Sequence, residues 1–244
     1  MHRSAYEQMQ LCIEEYLPRT RRHRVVDLGS RISGKQTRTH RGLLAGHDID
    51  YFGVDVLDGP NVDAVMKQPY RIPAKSRSAD VVLSGQAFEH IPFFWVSMME
   101  IARVLRPGGY AFITAPSRGH AHDAQDCWRY YPDGFRAMAA HSRLELREAY
   151  TDFPPAKGIW HDYASIDTTA AYWGDSVGVF RRPLPHRRPV TRLKNSLADL
   201  AVRETAVWWA NRAGGVDRVP LPRPLDGRAR CGRPDNRTVP STTG

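Results

Sequence analysis

The feature that most constrains the fold is a series of seven short, largely apolar segments. They lie at residues 24–28, 50–55, 62–66, 79–84, 110–115, 144–150 and 176–181, with helical patterns at residues 35–46, 92–105 and 133–141 between them. Strands that are apolar on both faces are typical of a parallel sheet covered by helices on its two sides. The pattern therefore predicts an α/β fold with a doubly wound, seven-stranded sheet.

Glycine and acidic residues follow the first two predicted strands. Asp27, Gly29 and Gly34 lie at and after the end of the first strand, and Asp55 ends the second. In an open parallel sheet the ligand crevice lies at the carboxyl ends of the strands, where glycine lets backbone approach a ligand and an acid suits a ribose diol. Because Arg31 replaces the middle glycine of G-x-G-x-x-G, a glycine-bearing turn of another α/β protein is the alternative.

The order of five segments is more specific than either turn. The chain contains, in this order, Val-Val-Asp-Leu-Gly-Ser30, Gly-Val-Asp55, Ser-Ala-Asp-Val-Val82, Phe-Glu-His-Ile91 and Leu-Arg-Pro-Gly-Gly109. Together they resemble the class I, Rossmann-like S-adenosylmethionine-dependent methyltransferases, in particular the type 11-like small-molecule and glycan methyltransferases. The resemblance covers about residues 25–180. It implies S-adenosyl-L-methionine as the cofactor and a mostly parallel sheet whose seventh strand is antiparallel and inserted at the edge.

The same resemblance implies the cofactor-binding residues by position. The methionine part would face the first turn, the ribose would face Asp55, the adenine would face Gln68, and the sulfonium would lie above the end of the fourth strand. The full set is Asp27, Gly29, Ser30, Gly34, Asp55, Val56, Gln68, Ser84, Gly85 and Gln86. Arg31 and Ser33 depart from the family's glycines, and Gln68 replaces its usual adenine-side acid.

A polar and aromatic segment at residues 116–134 follows the fifth predicted strand. Its Asp-Cys-Trp-Arg-Tyr-Tyr-Pro-Asp-Gly134 stretch resembles a subgroup of bacterial methyltransferases associated with glycan and secondary-metabolite modification. A hydroxyl that attacks a methyl group must lose a proton, and histidine has an ordinary pKa near neutral. We therefore expect His122, then His120, then His90 to be the general base, with Asp126 in the same catalytic group.

These residues also have other readings. His90 can cap a helix or bond to backbone. His120, His122 and Asp126 form a recognised ligand set for a divalent metal, although we expect no metal site.

The aromatic residues of this segment are expected to bind the substrate. The predicted substrate-binding residues are Trp128, Arg129, Tyr130 and Tyr131, because aromatic faces line sugar and ring-substrate pockets. The aromatic side chains can equally fill the core, and Arg129 can pair with Asp126 or Asp133 instead of an acidic substrate group.

The chain is expected to have three parts. Residues 1–23 contain a helical pattern at 4–17 that ends at Pro18, and we expect this helix to cap the substrate site. Residues 24–182 form the methyltransferase domain that the resemblance implies. Residues 183–244 form an extension rich in proline and arginine, with one amphipathic helix at 191–213 and an expected disordered stretch after it.

Charge is concentrated in this extension. Residues 181–244 hold fourteen Lys or Arg and five Asp or Glu, which accounts for the whole net charge of +9. Because the remainder carries no net charge and the basic extension has no recognised nucleic-acid motif, we do not expect specific nucleic-acid binding. We expect the 191–213 helix to contact an acidic membrane or another subunit, for example in a homodimer. Three scattered cysteines, no membrane-spanning run and no signal peptide predict a cytoplasmic protein with reduced thiols.

Methyl transfer to a hydroxyl of a sugar, glycolipid or secondary metabolite is the favoured function. Two alternatives stay open. One is N-methylation of a small amine, which needs less help from a base. The other is a non-catalytic methyltransferase-like module that binds only cofactor or a partner. The altered glycine turn favours this second alternative.

Overall fold

The computed structural model describes residues 3–34, 36–119, 122, 125–151, 174–185 and 189–213. The strands are β1 His23–Leu28, β2 Ile49–Asp55, β3 Ala64–Val65, β4 Ala79–Gly85, β5 Leu105–Arg118, β6 Glu145–Thr151 and β7 Gly174–Arg181. The helices are α1 Arg3–Tyr16, α2 His40–Leu43, α3 Phe94–Val104, α4 Pro132–Ser142 and α5 Pro189–Arg212, and a 3₁₀ turn covers Phe88–His90.

The seven strands form one sheet in the order β3-β2-β1-β4-β5-β7-β6. Neighbours from β3 to β5 are parallel, whereas β7 runs antiparallel to both β5 and β6. This confirms the predicted seven-stranded α/β sheet with one antiparallel strand. That strand lies one position inside the edge, and β6 is the edge strand itself.

Both faces of the sheet are buried, which explains the continuous apolar strands. Successive residues of β1 and β4 alternate between two hydrophobic clusters: Val25 and Val81 join the cluster under α1, while Val26 and Val82 join the one under α3 and α4. The first cluster includes Met9 of α1. Helices thus cover the sheet from two sides, as a doubly wound fold requires.

Two predicted elements differ from the structure. The helix expected at residues 35–46 is only α2, because Thr39 accepts a hydrogen bond from the Gly42 amide at 3.2 Å and caps a helix that contains a glycine. The fifth strand is longer than residues 110–115. Residues 106–109 end α3 as expected but form a bulge in β5, since Ala79 pairs with Leu105 and Val81 with Tyr110.

Helices at both ends of the described chain pack on this body. The Ser4 hydroxyl at the start of α1 donates to the Asp175 carboxylate at the start of β7. In α5, Val207 and Ala210 pack against Tyr70 and its neighbours. The boundary expected at residue 182 therefore separates a strand from a helix that is docked on the domain. None of the helices in the described part of the chain is long and apolar enough to cross a membrane.

α5 also exposes large apolar side chains to solvent. Among the α5 side chains that the structure describes, the exposed large apolar ones are Leu197, Leu200, Val202, Trp208 and Trp209. Cys12 is buried and Cys127 exposed, both as free thiols. Cys231 and the stretch predicted to be disordered after residue 213 lie outside the described residues.

Candidate functional site

One edge of the sheet gathers most of the sequence-predicted site residues. The carboxyl ends of β1, β2, β4 and β5 meet there, and antiparallel β7 contributes its amino end. Parallel sheets place their ligand crevice at this edge, at the point where strand order reverses. The reversal lies between β1 and β4, next to Gly29 and Gly85.

Gly29 brings the loop after β1 against the loop after β4. Its φ is +81°, and a Cβ atom at this position would lie 2.5 Å from the Cβ of Ala87. Gly34 also has a positive φ of +57°, but a Cβ atom there would meet nothing within 4 Å. Close approach therefore requires glycine at position 29, while conformation alone favours it at position 34.

Asp27 points into the protein. Its side chain is 2% exposed, and its carboxylate lies 2.8 Å from His40 Nδ1 and accepts a 2.5 Å hydrogen bond from the Tyr51 hydroxyl. Asn61 donates in turn to the Tyr51 oxygen at 3.0 Å. The Asp27 carboxylate, expected to face the methionine part of the cofactor, thus binds the side chains of His40 and Tyr51 beside the loop after β1.

Ser30 and Asp55 fix the loop from the other side. Ser30 donates through its hydroxyl to the Asn61 carbonyl at 3.0 Å. The two carboxylate oxygens of Asp55 accept from the backbone amides of Arg31 at 3.2 Å and Leu57 at 3.0 Å. Asp55 therefore lies where the loops after β1 and β2 meet, and neighbouring Val56 is exposed.

The end of β4 presents several buried polar atoms without a partner among the described residues. These are His40 Nε2, Gln86 Oε1 and Thr114 Oγ1. Gly85 keeps the space between them open, because a Cβ atom there would lie 2.6 Å from His40 Nε2 and 3.2 Å from Thr114 Oγ1. Orphaned hydrogen-bonding atoms around a glycine gap fit the polar amino-acid end of S-adenosylmethionine, which has both donors and acceptors.

The other residues expected on this floor have structural partners. Ser84 is fully buried and donates to the Leu28 carbonyl at 2.9 Å, which ties β4 to β1. Gln86 has a positive φ of +55° and donates to Asp175 at 3.0 Å, which links this floor to β7 and α1. Gln68, expected at the adenine, lines a groove of about 730 Å³ together with Arg71 and the aromatic end of α5.

The loops after β4 and β5 are joined by several hydrogen bonds. His90 Nδ1 lies 2.6 Å from the Gln125 carbonyl, and Gln125 Nε2 donates back to the His90 carbonyl at 2.8 Å. The Cys127 amide donates to the Glu89 carbonyl at 2.7 Å. These bonds bring His90 and His122 together, with ring centroids 5.0 Å apart.

His122 is held by a carboxylate that is itself held by an arginine. His122 Nδ1 lies 2.9 Å from Asp126 Oδ2, and Arg129 binds both oxygens of the same carboxylate. Although burial opposes it, these hydrogen bonds lower the pKa of Asp126. Asp126 therefore orients His122. Arg129 pairs with Asp126, which is the alternative interpretation of Arg129 given in the sequence analysis. His120 lies outside the described residues.

Glu89 is a member of this cluster that the sequence analysis did not single out. Its side chain is fully buried, and neither carboxylate oxygen has a hydrogen-bond partner among the described residues. Burial raises the pKa of Glu89 to about 7. The His90 Nε2 atom lies 3.7 Å from its Oε1.

The predicted substrate-binding aromatics have three different environments. Tyr130 is buried, stacks on Phe135 at 5.7 Å and donates to the Phe88 carbonyl, so it fills the core. Trp128 is 36% exposed and donates to the Ile91 carbonyl at 3.1 Å. Tyr131 is 59% exposed and precedes α4, so Trp128 and Tyr131 are the two available to a ligand.

Residues 38–113 match the family model described as methyltransferase domain. A phthiotriol/phenolphthiotriol dimycocerosates methyltransferase of Mycobacterium ulcerans is 35% identical over 83 residues, 32% of this chain and 31% of that protein. The match thus spans about a third of the relative's length.

Solved structures show the same fold over most of the chain. A Galdieria sulphuraria protein described as a sarcosine dimethylglycine methyltransferase has a TM-score of 0.52 and 16% identity, over 74% of this chain and 86% of its own. Phosphoethanolamine N-methyltransferase 2 of Haemonchus contortus, solved with S-adenosylhomocysteine, has a TM-score of 0.51 and 15% identity, over 72% of this chain and 52% of its own.

Proposed function

We propose that this chain, whose residues 38–113 match a methyltransferase domain, is a class I S-adenosylmethionine-dependent methyltransferase that methylates a hydroxyl oxygen of a sugar, glycolipid or secondary metabolite. The observation that carries the proposal is the contact between His122 and Asp126 at the crevice edge. The bound cofactor supplies a methyl group on a positively charged sulfur. The residues of the chain must bind it, orient the acceptor and remove one proton.

Cofactor binding is assigned to the loops at the carboxyl edge. Asp55 would accept from the ribose hydroxyls, because its carboxylate has lone pairs beyond the two that accept from backbone amides. His40 Nε2, Gln86 Oε1 and Thr114 Oγ1, which have no partner among the described residues, would bind the polar methionine end. Solved relatives of this fold hold the same cofactor or its product.

Proton removal is assigned to His122. A proton on Nδ1, facing the Asp126 carboxylate, leaves the lone pair of the neutral ring on Nε2. The acceptor hydroxyl loses its proton to this nitrogen as its oxygen attacks the methyl carbon. Trp128 and Tyr131 supply exposed aromatic surface for a sugar or ring. A triol in the name of the mycobacterial relative also favours an alcohol over an amine.

Methyl transfer to an acceptor panel tests the proposal. The purified chain is incubated with methyl-labelled S-adenosylmethionine and hydroxyl-bearing glycans, glycolipids and phenols, with matched amines as the competing class. We expect label in the hydroxyl compounds. His122→Asn should lower turnover by about 10² to 10⁴, while the cofactor dissociation constant stays within twofold, because a base acts only on the reacting proton. Label confined to amines, or no cofactor binding, would overturn the proposal.

A further inference from the structure

Three potential metal ligands converge beside the crevice. One ligand atom from each of Glu89, His90 and His122 lies within 4.8 Å of the other two. We propose that a divalent transition-metal ion binds between the Glu89 carboxylate and the imidazoles of His90 and His122. This inference rests on the proposed function, since it concerns what assists loss of the acceptor proton at the same site.

The Glu89 carboxylate is the strongest argument for a cation. It is fully buried, and both oxygens lack a hydrogen-bond donor among the described residues. An ionised carboxylate is costly in such a place unless a cation or several donors compensate it. The backbone around it is fixed, because the Cys127 amide binds the Glu89 carbonyl. A metal ion would supply the missing partner without a change in this backbone.

Both histidines are arranged as metal-binding histidines usually are. A carbonyl oxygen can only accept, so His90 Nδ1 must carry a proton toward Gln125, and the lone pair is then on Nε2, the atom that faces Glu89 at 3.7 Å. His122 Nδ1 contacts the Asp126 carboxylate, which Arg129 holds on its other side. A carboxylate or carbonyl behind each imidazole fixes the tautomer and orientation of a ligand.

The donor set selects the class of metal. Two imidazole nitrogens and one carboxylate suit zinc and the other divalent first-row metals, whereas magnesium and calcium prefer oxygen ligands. Metal–ligand distances of about 2.0 to 2.2 Å place ligand atoms at most about 4.4 Å apart. The His90 Nε2 and Glu89 Oε1 atoms already lie within that limit, at 3.7 Å. Three protein ligands leave a coordination position open for the acceptor.

The open position gives the metal a chemical role. An acceptor hydroxyl bound there has a lowered pKa and releases its O–H proton to solvent. Its oxygen then forms the C–O bond as the methyl C–S bond breaks, and S-adenosylhomocysteine leaves as a neutral thioether. In the metal-bound protein His122 is a ligand, and the cation replaces its action as a base.

Metal binding by the full chain tests the inference directly. The protein is freed of metal with a chelator and then titrated with Zn²⁺, Co²⁺ and Mg²⁺ by calorimetry, while the visible absorption of bound Co²⁺ reports its ligands. We expect one Zn²⁺ or Co²⁺ per chain and much weaker Mg²⁺ binding. Glu89→Gln and His122→Asn should each weaken Zn²⁺ binding by about 100-fold or more. Asp126→Asn should weaken it by about 10- to 100-fold.

The controls separate this site from other metal-binding groups. His141→Asn, which removes an exposed histidine on α4, should bind Zn²⁺ like the parent protein. His122 lies on an exposed loop, so its variant tests the site even if Glu89→Gln fails to fold. Equal Zn²⁺ affinity in the parent protein and His122→Asn, or thiolate absorption from Cys127 in the Co²⁺ spectrum, would overturn the inference.

Failure of the metal site and failure of the proposed function give different results. Full methylation of a hydroxyl by chelated protein that binds no Zn²⁺ refutes the metal and leaves His122 as the base. Specific Zn²⁺ binding by a protein that methylates only amines refutes the proposed acceptor and leaves the metal site.

Discussion

The Nδ1 atom of His40 lies 2.8 Å from the Asp27 carboxylate, and both side chains are almost fully buried. This contact joins α2 to β1, and the Tyr51 hydroxyl adds β2 to the same carboxylate. A short helix with little apolar surface is therefore attached to the sheet by buried polar contacts.

Asp27→Asn should destabilise the fold. The asparagine side chain has nearly the shape of aspartate, but its oxygen accepts hydrogen bonds less strongly. Its NH₂ group would also face one of the two donors, His40 Nδ1 or the Tyr51 hydroxyl. We expect the free energy of unfolding to fall by about 1 to 3 kcal/mol, measured by urea denaturation. Asp48→Asn is the matched control, because Asp48 is 67% exposed and lies 3.8 Å from Arg22. Equal stability of both variants would mean that the buried contact contributes nothing.

Gly29→Ala should be far more harmful than Gly34→Ala. Both positions have positive φ, which costs about 1 to 2 kcal/mol for alanine. Only at position 29 does the new methyl group also collide with Ala87. We therefore expect Gly29→Ala to lower both stability and S-adenosylmethionine affinity, and Gly34→Ala to lower stability modestly. Calorimetric titration with thermal unfolding checks both, and similar losses in the two variants would contradict the role given to the close approach.

Asp55→Ala should weaken S-adenosylmethionine binding by about tenfold or more. The basis is the loss of charge-assisted hydrogen bonds, each worth about 1.5 to 3 kcal/mol. Asp58→Ala is the control, since exposed Asp58 lies three residues away and accepts from the Gly59 amide at 2.8 Å. A folded Asp55→Ala protein with the parent dissociation constant would remove the end of β2 from the cofactor site.

Glu204 should make the docking of α5 sensitive to acid. Hydrogen bonds from Arg71 lower the pKa of Glu204 from 4.5 to about 2. A lowered pKa in the folded state contributes stability above about pH 4.5, and this contribution disappears as the pH falls through about 2. Glu204 is 43% exposed, so we expect well under 1 kcal/mol at neutral pH.

The thermal midpoints of the parent protein and Glu204→Gln check this sign. The parent should be more stable at pH 7, and the difference should vanish near pH 2. Because Arg203 also binds Glu204, at 2.9 Å, Glu204→Gln should change little at either pH only in a background with both Arg71→Met and Arg203→Met. A difference that grows in acid would contradict the linkage.

The sequence predicts the sheet well, because both faces of the central strands are buried and most of their residues are apolar. It predicts α2 and the start of β5 less well. Those two depend on a local cap at Thr39 and on a bulge that pairing with β4 stabilises, and neither has a hydrophobic period.

The position of a site residue is predictable where the strand order sets it. The direction of its side chain is less predictable where contacts with residues distant in sequence set it. The loops after β4 and β5 meet because parallel strands share an edge, so His90 and His122 are found together. The inward direction of Asp27 depends on His40 and Tyr51, which lie far from it in sequence. Glu89 adjoins the predicted His90, and an acid next to a crevice histidine is the signal that would have found it.

The pairing of Thr151 with Ser176 places the exit of β6 and the entry of β7 at the same edge as the crevice. The chain therefore leaves β6 and enters β7 on the side of the sheet where Gly29 and Gly85 lie.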